Sequence, residues 1–241
     1  MNTPLIEFNK ISVNYGSALA LHEVSLNVQE GEIVSLLGGN ASGKSTTMKT
    51  ILGLVRPSSG SVLWKGRDIT SWSTSRRISH GIASVPEARR IFGAMTVEDN
   101  LIMGAYTRKD RANLNQSLAA QYERFPRLAQ RRKQLAGTMS GGEQQMLAFA
   151  RALMSNPKLI CMDEPTMGLS PKLVDEVLQT IANLNHDLHV AVLMVEQQAE
   201  LALSIAHRGY VLATGELVMH GDSAQLLNST QIQEAYLGKA V

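Results

Sequence analysis

Eight consecutive residues, Gly38-Gly39-Asn40-Ala41-Ser42-Gly43-Lys44-Ser45, fit the pattern G-x-x-x-x-G-K-S. The chemistry open to such a run is the holding of a phosphate chain. A triphosphate crowds negative oxygens together, so backbone N–H donors must approach it from several residues at once. A loop poor in side chains that feeds a helix start offers them. Lys44 adds a full positive charge for the β- and γ-phosphates, and the Ser45 hydroxyl is a hard oxygen ligand suited to Mg²⁺. The apolar run Ile33-Val34-Ser35-Leu36-Leu37 before the loop reads as a strand, and the stretch from Thr46 to Leu54 reads as a helix. That context separates the motif from a glycine-rich turn with a chance Lys-Ser.

A second constellation is Leu159-Ile160-Cys161-Met162-Asp163-Glu164, an apolar run ending in paired carboxylates. Buried parallel strands read as unbroken apolar runs, and ligands gather at their carboxyl ends. Strand alternation is expected to turn Asp163 toward Mg²⁺ and Glu164 toward a different atom, the attacking water. The third constellation, Ser140-Gly141-Gly142-Glu143, has capping-box spacing. Capping alone leaves two consecutive glycines unexplained, since they weaken a helix but open backbone N–H groups to an anion at the positive end of the dipole. A second phosphate-facing helix start is redundant in one chain unless it serves the nucleotide of another copy.

These residues need a frame to hold them. At 241 residues, with 44% apolar and 18% charged positions, the chain has ordinary globular composition. Its 23 basic and 21 acidic residues leave a net charge of +2, which excludes a general basic field for nucleic acid. Cys161 is the single cysteine and sits in an apolar run, so a buried thiol and a reducing compartment are expected. No apolar run reaches the roughly 18 to 20 residues that span a bilayer, and Met1-Asn2-Thr3-Pro4 does not resemble a signal segment. The expected place is the cytosol, peripheral to a membrane at most.

Residues 5–37 and 61–70 are short β-rich segments broken by Tyr15-Gly16, Glu30-Gly31 and Lys65-Gly66, which predicts a small antiparallel sheet. Thr96 with Asp99 has the spacing of a helix cap, and Leu114, Leu118, Tyr122 and Phe125 recur at helical steps, as in an inserted helical subdomain. From Gly141 onward helix and strand alternate, which implies a parallel sheet flanked by helices. A hairpin around Thr214-Gly215 and two short helical pieces close the chain. The six histidines and Arg131-Arg132-Lys133 form no metal or nucleic-acid pattern.

The phosphate loop, S-G-G-E-Q, the apolar strand ending in Asp-Glu, and Gly168-Leu169-Ser170-Pro171 stand in the order and spacing of the ATP-binding subunits of ABC transporters, which the whole chain resembles. Val85-Pro86-Glu87-x-Arg89-Arg90, Gly137-Thr138-Met139 and Val195-Glu196-Gln197 resemble the second ATPase of bacterial branched-chain amino acid importers. The resemblance implies an α/β fold: a P-loop NTPase core with a mostly parallel sheet, an antiparallel β-subdomain and an inserted α-helical subdomain. Residues 1–95 and 156–241 would form the core and about 96–155 the helical part. It implies Mg²⁺-dependent ATP hydrolysis with Lys44, Glu164, Glu87 and Gln197 as catalytic residues and Ser45, Asp163 and Glu87 at the metal. Gly38, Gly39, Asn40, Ala41, Ser42, Gly43 and Thr46 would line the nucleotide. Tyr15 matches the aromatic that stacks on adenine, though a lone tyrosine also suits strand packing. Ser140, Gly141 and Gly142 would reach a partner's γ-phosphate across a head-to-tail dimer, with another copy or a second ATPase subunit.

Three positions depart from the general family pattern. Glu87 stands where glutamine is usual, Gln197 where histidine is usual, and Ala41 replaces a loop glycine. The first two agree with the subgroup. The implied assembly adds two membrane permease subunits and, indirectly, a solute-binding protein, on the cytoplasmic face of the membrane. Ile91, Phe92 and Met95, directly after the Glu87 loop, are expected to give the permease an apolar contact. Other readings are a urea or short-amide importer ATPase, or a soluble ABC ATPase acting as a nucleotide-dependent switch.

Overall fold

The computed structural model describes residues 3–229. In chain order the elements are β1 (Ile6–Tyr15), β2 (Ala18–Val28), β3 (Ile33–Gly38), α1 (Lys44–Ile51), β4 (Ser59–Trp64), β5 (Arg67–Asp68), α2 (Thr74–Ser79) and β6 (Ile82–Val85). Helices α3 (Val97–Gly104), α4 (Leu114–Arg124), α5 (Pro126–Gln130) and α6 (Gly141–Leu153) follow. The chain then alternates through β7 (Leu159–Asp163), α7 (Pro171–Leu188), β8 (Ala191–Glu196), α8 (Ala199–Ile205), β9 (Arg208–Ala213), β10 (Glu216–Asp222) and α9 (Ser223–Leu227). The second short helical piece expected at the end lies outside the described residues.

Two sheets result. One is antiparallel with strand order β2-β1-β4-β5, and the other has order β10-β9-β3-β8-β7-β6. In the larger sheet β6, β7, β8, β3 and β9 run parallel, and only β10 is antiparallel. The apolar runs of β3, β7 and β8 are buried on both faces, with successive side chains entering different cores. Ile33, Leu37, Ile160, Met162, Val192 and Met194 join the core under the helices. Val34, Leu36, Leu159, Cys161, Leu193 and Val195 join the core between the sheets. Period-two alternation splits one continuous apolar strand between two cores. Cys161 is buried there, and burial pushes its thiol up to about 12, so it is inert packing.

Local signals set the element ends. Thr96 caps α3 and Ser140 caps α6, each closing a complete capping box with Asp99 or Glu143. Ser170 is the N-cap of α7 without a side-chain bond, and Pro171 fills the first turn. That helix runs to Leu188, beyond Leu184 where the apolar period fades, because Asn185 donates to the carbonyls of Gly31 and Val190.

Behind the phosphate loop lies Arg77, fully buried and without a carboxylate ion-pair partner among the described residues. Its guanidinium donates to the carbonyls of Thr50 and Ile51 at the end of α1, and to those of Trp72, Ile69 and Thr70. Burial pushes its pKa down to about 10, which leaves it charged at neutral pH. It therefore serves as a cationic cap on the C-terminus of the helix that follows the loop.

Candidate active site

The register brings distant residues to one edge. Leu37 pairs with Glu196, Asp163 with Val195, and Val85 with Met162. The phosphate loop, Asp163-Glu164, Glu196-Gln197 and Pro86-Glu87 therefore all leave the sheet at its carboxyl end, where parallel sheets place their ligands.

Gly43, with φ of 109°, is the N-cap of α1, and no side chain caps that helix start. A Cβ at Gly43 would stand 2.6 Å from Leu21 Cδ2, so the position excludes larger residues on two counts. Lys44 lies buried along the loop, and its Nζ donates to the carbonyls of Gly38 (2.7 Å) and Gly39 (2.8 Å), leaving a third N–H for a ligand. Burial lowers its pKa, opposed by the charges of Glu164 and Asp163. The Ser42 hydroxyl is buried with no hydrogen-bond partner among the described residues. An uncapped helix start, an uncommitted ammonium N–H and an orphaned hydroxyl together fit a phosphate chain. Ala41 sits at φ of 60°, the left-handed strain that its replacement of glycine leads one to expect.

Asp163 ends β7, and its carboxyl is raised by burial and by the neighbouring charges of Glu87 and Glu164, with Lys44 opposing. Lys49 adds a weaker opposing charge, yet the carboxyl stays raised, so two lysines do not offset the burial and the neighbouring carboxylates, an imbalance a cation would relieve. Among the described residues no three His, Cys, Asp or Glu side chains form a metal cluster of their own. Mg²⁺ fits this donor set because it is usually held by one or two protein oxygens together with those of a phosphate substrate. Ser45 and Asp163 are the residues that would hold it.

Glu164 departs from the strand expected of it. It occupies the left-handed region at φ of 45°, with its N–H bonded to the Val195 carbonyl at 2.9 Å. The two acids diverge because the chain turns sharply after Asp163, and not because a strand alternates. Gln197 Nε2 donates to Glu164 Oε1 at 2.9 Å, which fixes the carboxylate at the mouth of the loop. Glu196, buried beside it, accepts from the Thr166 N–H (3.1 Å) and hydroxyl (2.7 Å) and ties β8 to the turn that carries Glu164. Sequence reasoning gave Glu196 no role.

A cavity of about 240 Å³ collects Asn40, Ala41, Ser42, Gly43, Lys44, Ser45, Thr46 and Glu164. Leu19, Ala20, Thr214 and Gly215 complete its wall, and the sequence reading missed them in that role. The Thr214-Gly215 hairpin was legible as a turn. Its contact with the loop, Gly215 N–H to Ser42 carbonyl at 2.9 Å, was not. Tyr15 is exposed at the end of β1 and does not line this cavity. Glu87 is exposed on the loop after β6.

The glycines of Ser140-Gly141-Gly142 divide their work. Gly142 is buried, and a Cβ there would stand 2.8 Å from Leu173 Cδ2, so a larger residue would oblige that leucine of α7 to shift, and the packing of α6 on α7 already favours glycine. The premise that structure leaves both glycines unexplained is corrected to Gly141 alone.

A profile described as ABC transporter matches residues 21–167. The chain belongs to the ABC transporter family. It is 45% identical over 97% of its length to all of the high-affinity branched-chain amino acid transport ATP-binding protein BraG of Pseudomonas aeruginosa. It is 36% identical over 95% of its length to 97% of the probable branched-chain amino acid transport ATP-binding protein LivF of Archaeoglobus fulgidus. The ADP conformation of MJ1267, an ATP-binding cassette of an ABC transporter, superposes with a TM-score of 0.87 at 26% identity, covering 98% of this chain and 99% of that one. The fold is that of an ABC ATPase, and the chain is an ATP-hydrolysing transporter subunit. No helix among the described residues is long and apolar enough to cross a membrane.

Proposed function

We propose that this ABC ATPase powers uptake of branched-chain amino acids through partner membrane subunits. The likeness to BraG carries the choice of solute. The placement of Glu164 at the mouth of the Lys44 loop, braced by Gln197, carries the chemistry.

Lys44 and the loop N–H groups hold the β- and γ-phosphates, and Ser45 and Asp163 would hold Mg²⁺. When bound, the metal neutralises charge on the phosphate oxygens. Glu164 accepts a proton from water attacking the γ-phosphorus in line, while Gln197 keeps that carboxylate oriented. Glu87 would supply a further oxygen near the metal, and Tyr15 a ring face to adenine from the β1–β2 hairpin. The expected result is that Glu164→Gln retains Mg-ATP binding and loses turnover by about a hundredfold or more. Unchanged turnover in a purified, nucleotide-binding variant would remove Glu164 from the role of base.

The working form is a head-to-tail sandwich with a second ATPase chain, in which Ser140 and Gly141 meet the nucleotide held by the partner's loop. Residues 1–95 and 156–241 act as the nucleotide-binding core, and about 96–155 as the helical part that presents the signature. Permease subunits dock on a cleft of about 380 Å³ lined by Pro86, Arg90, Phe92, Met103, Tyr106 and Arg151, at the cytoplasmic face of the membrane. Phe92, Met103 and Tyr106 are exposed there and Met95 is exposed nearby, whereas Ile91 packs inward on the core and does not belong to this surface. A strain lacking the chain is expected to lose leucine, isoleucine and valine uptake. Loss of urea uptake with leucine uptake intact would overturn the solute assignment.

A further inference from the structure

The loop that joins β6 to α3 holds three consecutive non-glycine residues in the left-handed region, Ala88 (φ 56°), Arg89 (φ 65°) and Arg90 (φ 42°). Each conformation is disfavoured by its Cβ, so the run persists only because its surroundings impose it. The imposing group is Arg151 of α6, whose guanidinium donates to the carbonyls of Arg89 (3.1 Å) and Arg90 (2.9 Å) and lies over the Phe92 ring. Clamped in this way, the loop lays the Arg89 guanidinium flat on Gly141. A Cβ built on that glycine would find Nη2 at 3.4 Å and both Cζ and Nη1 at 3.5 Å.

The Arg89 side chain has no hydrogen-bond or ion-pair partner among the described residues. A half-buried guanidinium ordinarily commits its five N–H donors to carboxylates or carbonyls. Here they are held in place and left free, next to the helix start that Ser140 opens. The capping box already uses the Ser140 N–H, the Ser140 hydroxyl and the Glu143 N–H, so the chain's own side chains satisfy much of that helix end. A planar cation with a free fork supplies what the helix start lacks for a terminal phosphate.

We propose that Arg89 is a catalytic residue supplied in trans: its guanidinium donates to the terminal phosphate of the nucleotide bound by the loop of a second copy of this chain. The assignment rests on the reading that Ser140 and Gly141 face the partner's nucleotide. It also makes the Glu87 loop, which serves one nucleotide, and the Arg89 fork, which serves the other, parts of a single segment.

The test uses the full chain carrying Glu164→Gln, with Mg-ATP-driven association followed by analytical ultracentrifugation. Arg89→Gln is expected to weaken association about tenfold and Arg89→Lys less. Mg-ATP affinity at protein concentrations too low for association should stay unchanged, as should the melting temperature without nucleotide. Equal loss of affinity in the dilute monomer would place the arginine at its own chain's nucleotide and overturn the proposal. Loss of association accompanied by a fallen melting temperature, with no recovery by Arg89→Lys, would reduce Arg89 to a structural role and overturn it as well. Ser140→Phe separates the layers. If it abolishes association while Arg89→Gln leaves it intact, only the Arg89 assignment falls. If the parent does not associate, or if neither substitution weakens association, the sandwich reading falls and takes Arg89 with it.

Discussion

Two glycine-rich helix starts do opposite things in this molecule. The start of α1 has a left-handed glycine as its N-cap, no capping side chain and no acid in its first turn. The start of α6 has a complete capping box, and its Glu143 also pairs with Arg131 at 3.0 Å. An uncapped helix end keeps its first N–H groups available and relies on a ligand to satisfy them. A capped end is stable by itself and offers a surface more than a set of open donors. The contrast teaches that glycine near a helix start marks a grip where it is itself the N-cap, and a contact face where a serine caps the helix ahead of it.

The contrast can be broken experimentally, most sharply at Lys44. Lys44→Ala is expected to weaken Mg-ATP binding by about a hundredfold or more in a fluorescent-nucleotide titration, whereas Ser140→Ala leaves binding by the single chain unchanged. Equal losses would erase the distinction. Gly142→Ala presses a methyl group on Leu173 and is expected to cost about 1–3 kcal/mol in urea unfolding, with Leu173→Ala recovering part of it. A neutral result would remove the packing reason for that glycine.

Asp163 offers a test of opposite sign. Its carboxyl is raised above the ordinary 3.8 by burial and by the charges of Glu87 and Glu164, so the folded chain holds that proton more tightly than the unfolded one. The resulting stability is fully present below the ordinary aspartate value and is lost as pH rises through the raised value. Asp163→Asn is therefore expected to lose turnover yet stabilise the nucleotide-free protein by about 1 kcal/mol at neutral pH, read by calorimetry. The smallest effect belongs to Ala41→Gly. Relief of the left-handed strain outweighs the added freedom of the unfolded chain by about 0.5 kcal/mol, visible as a slightly higher melting temperature.

What the sequence made legible was local. An apolar run entering a glycine-lysine loop, an apolar run ending in two acids, and caps at Thr96 and Ser140 each carry their physics within a few neighbouring residues. The α/β fold and its parallel sheet followed from the alternation of such pieces. What stayed hidden depends on contacts between distant segments. The turn at Glu164 is fixed by a bond to Val195, the loop wall at Gly215 by a bond to Ser42, and the pose of Arg89 by α6. No local period records these pairings. The one available signal was the glutamine and glutamate of Glu196-Gln197, polar residues ending an otherwise apolar strand.

Arg77 carries a mechanical consequence. An ionised group sealed away from solvent and bound to five carbonyls cannot let go of any without a large electrostatic penalty, so it bolts the rear of α1 to the segment between β5 and α2. The phosphate loop then works like a stator. Whatever stroke nucleotide turnover delivers has to be taken up by parts not riveted to that arginine, foremost the segment bearing Glu87 and the helices it leans on.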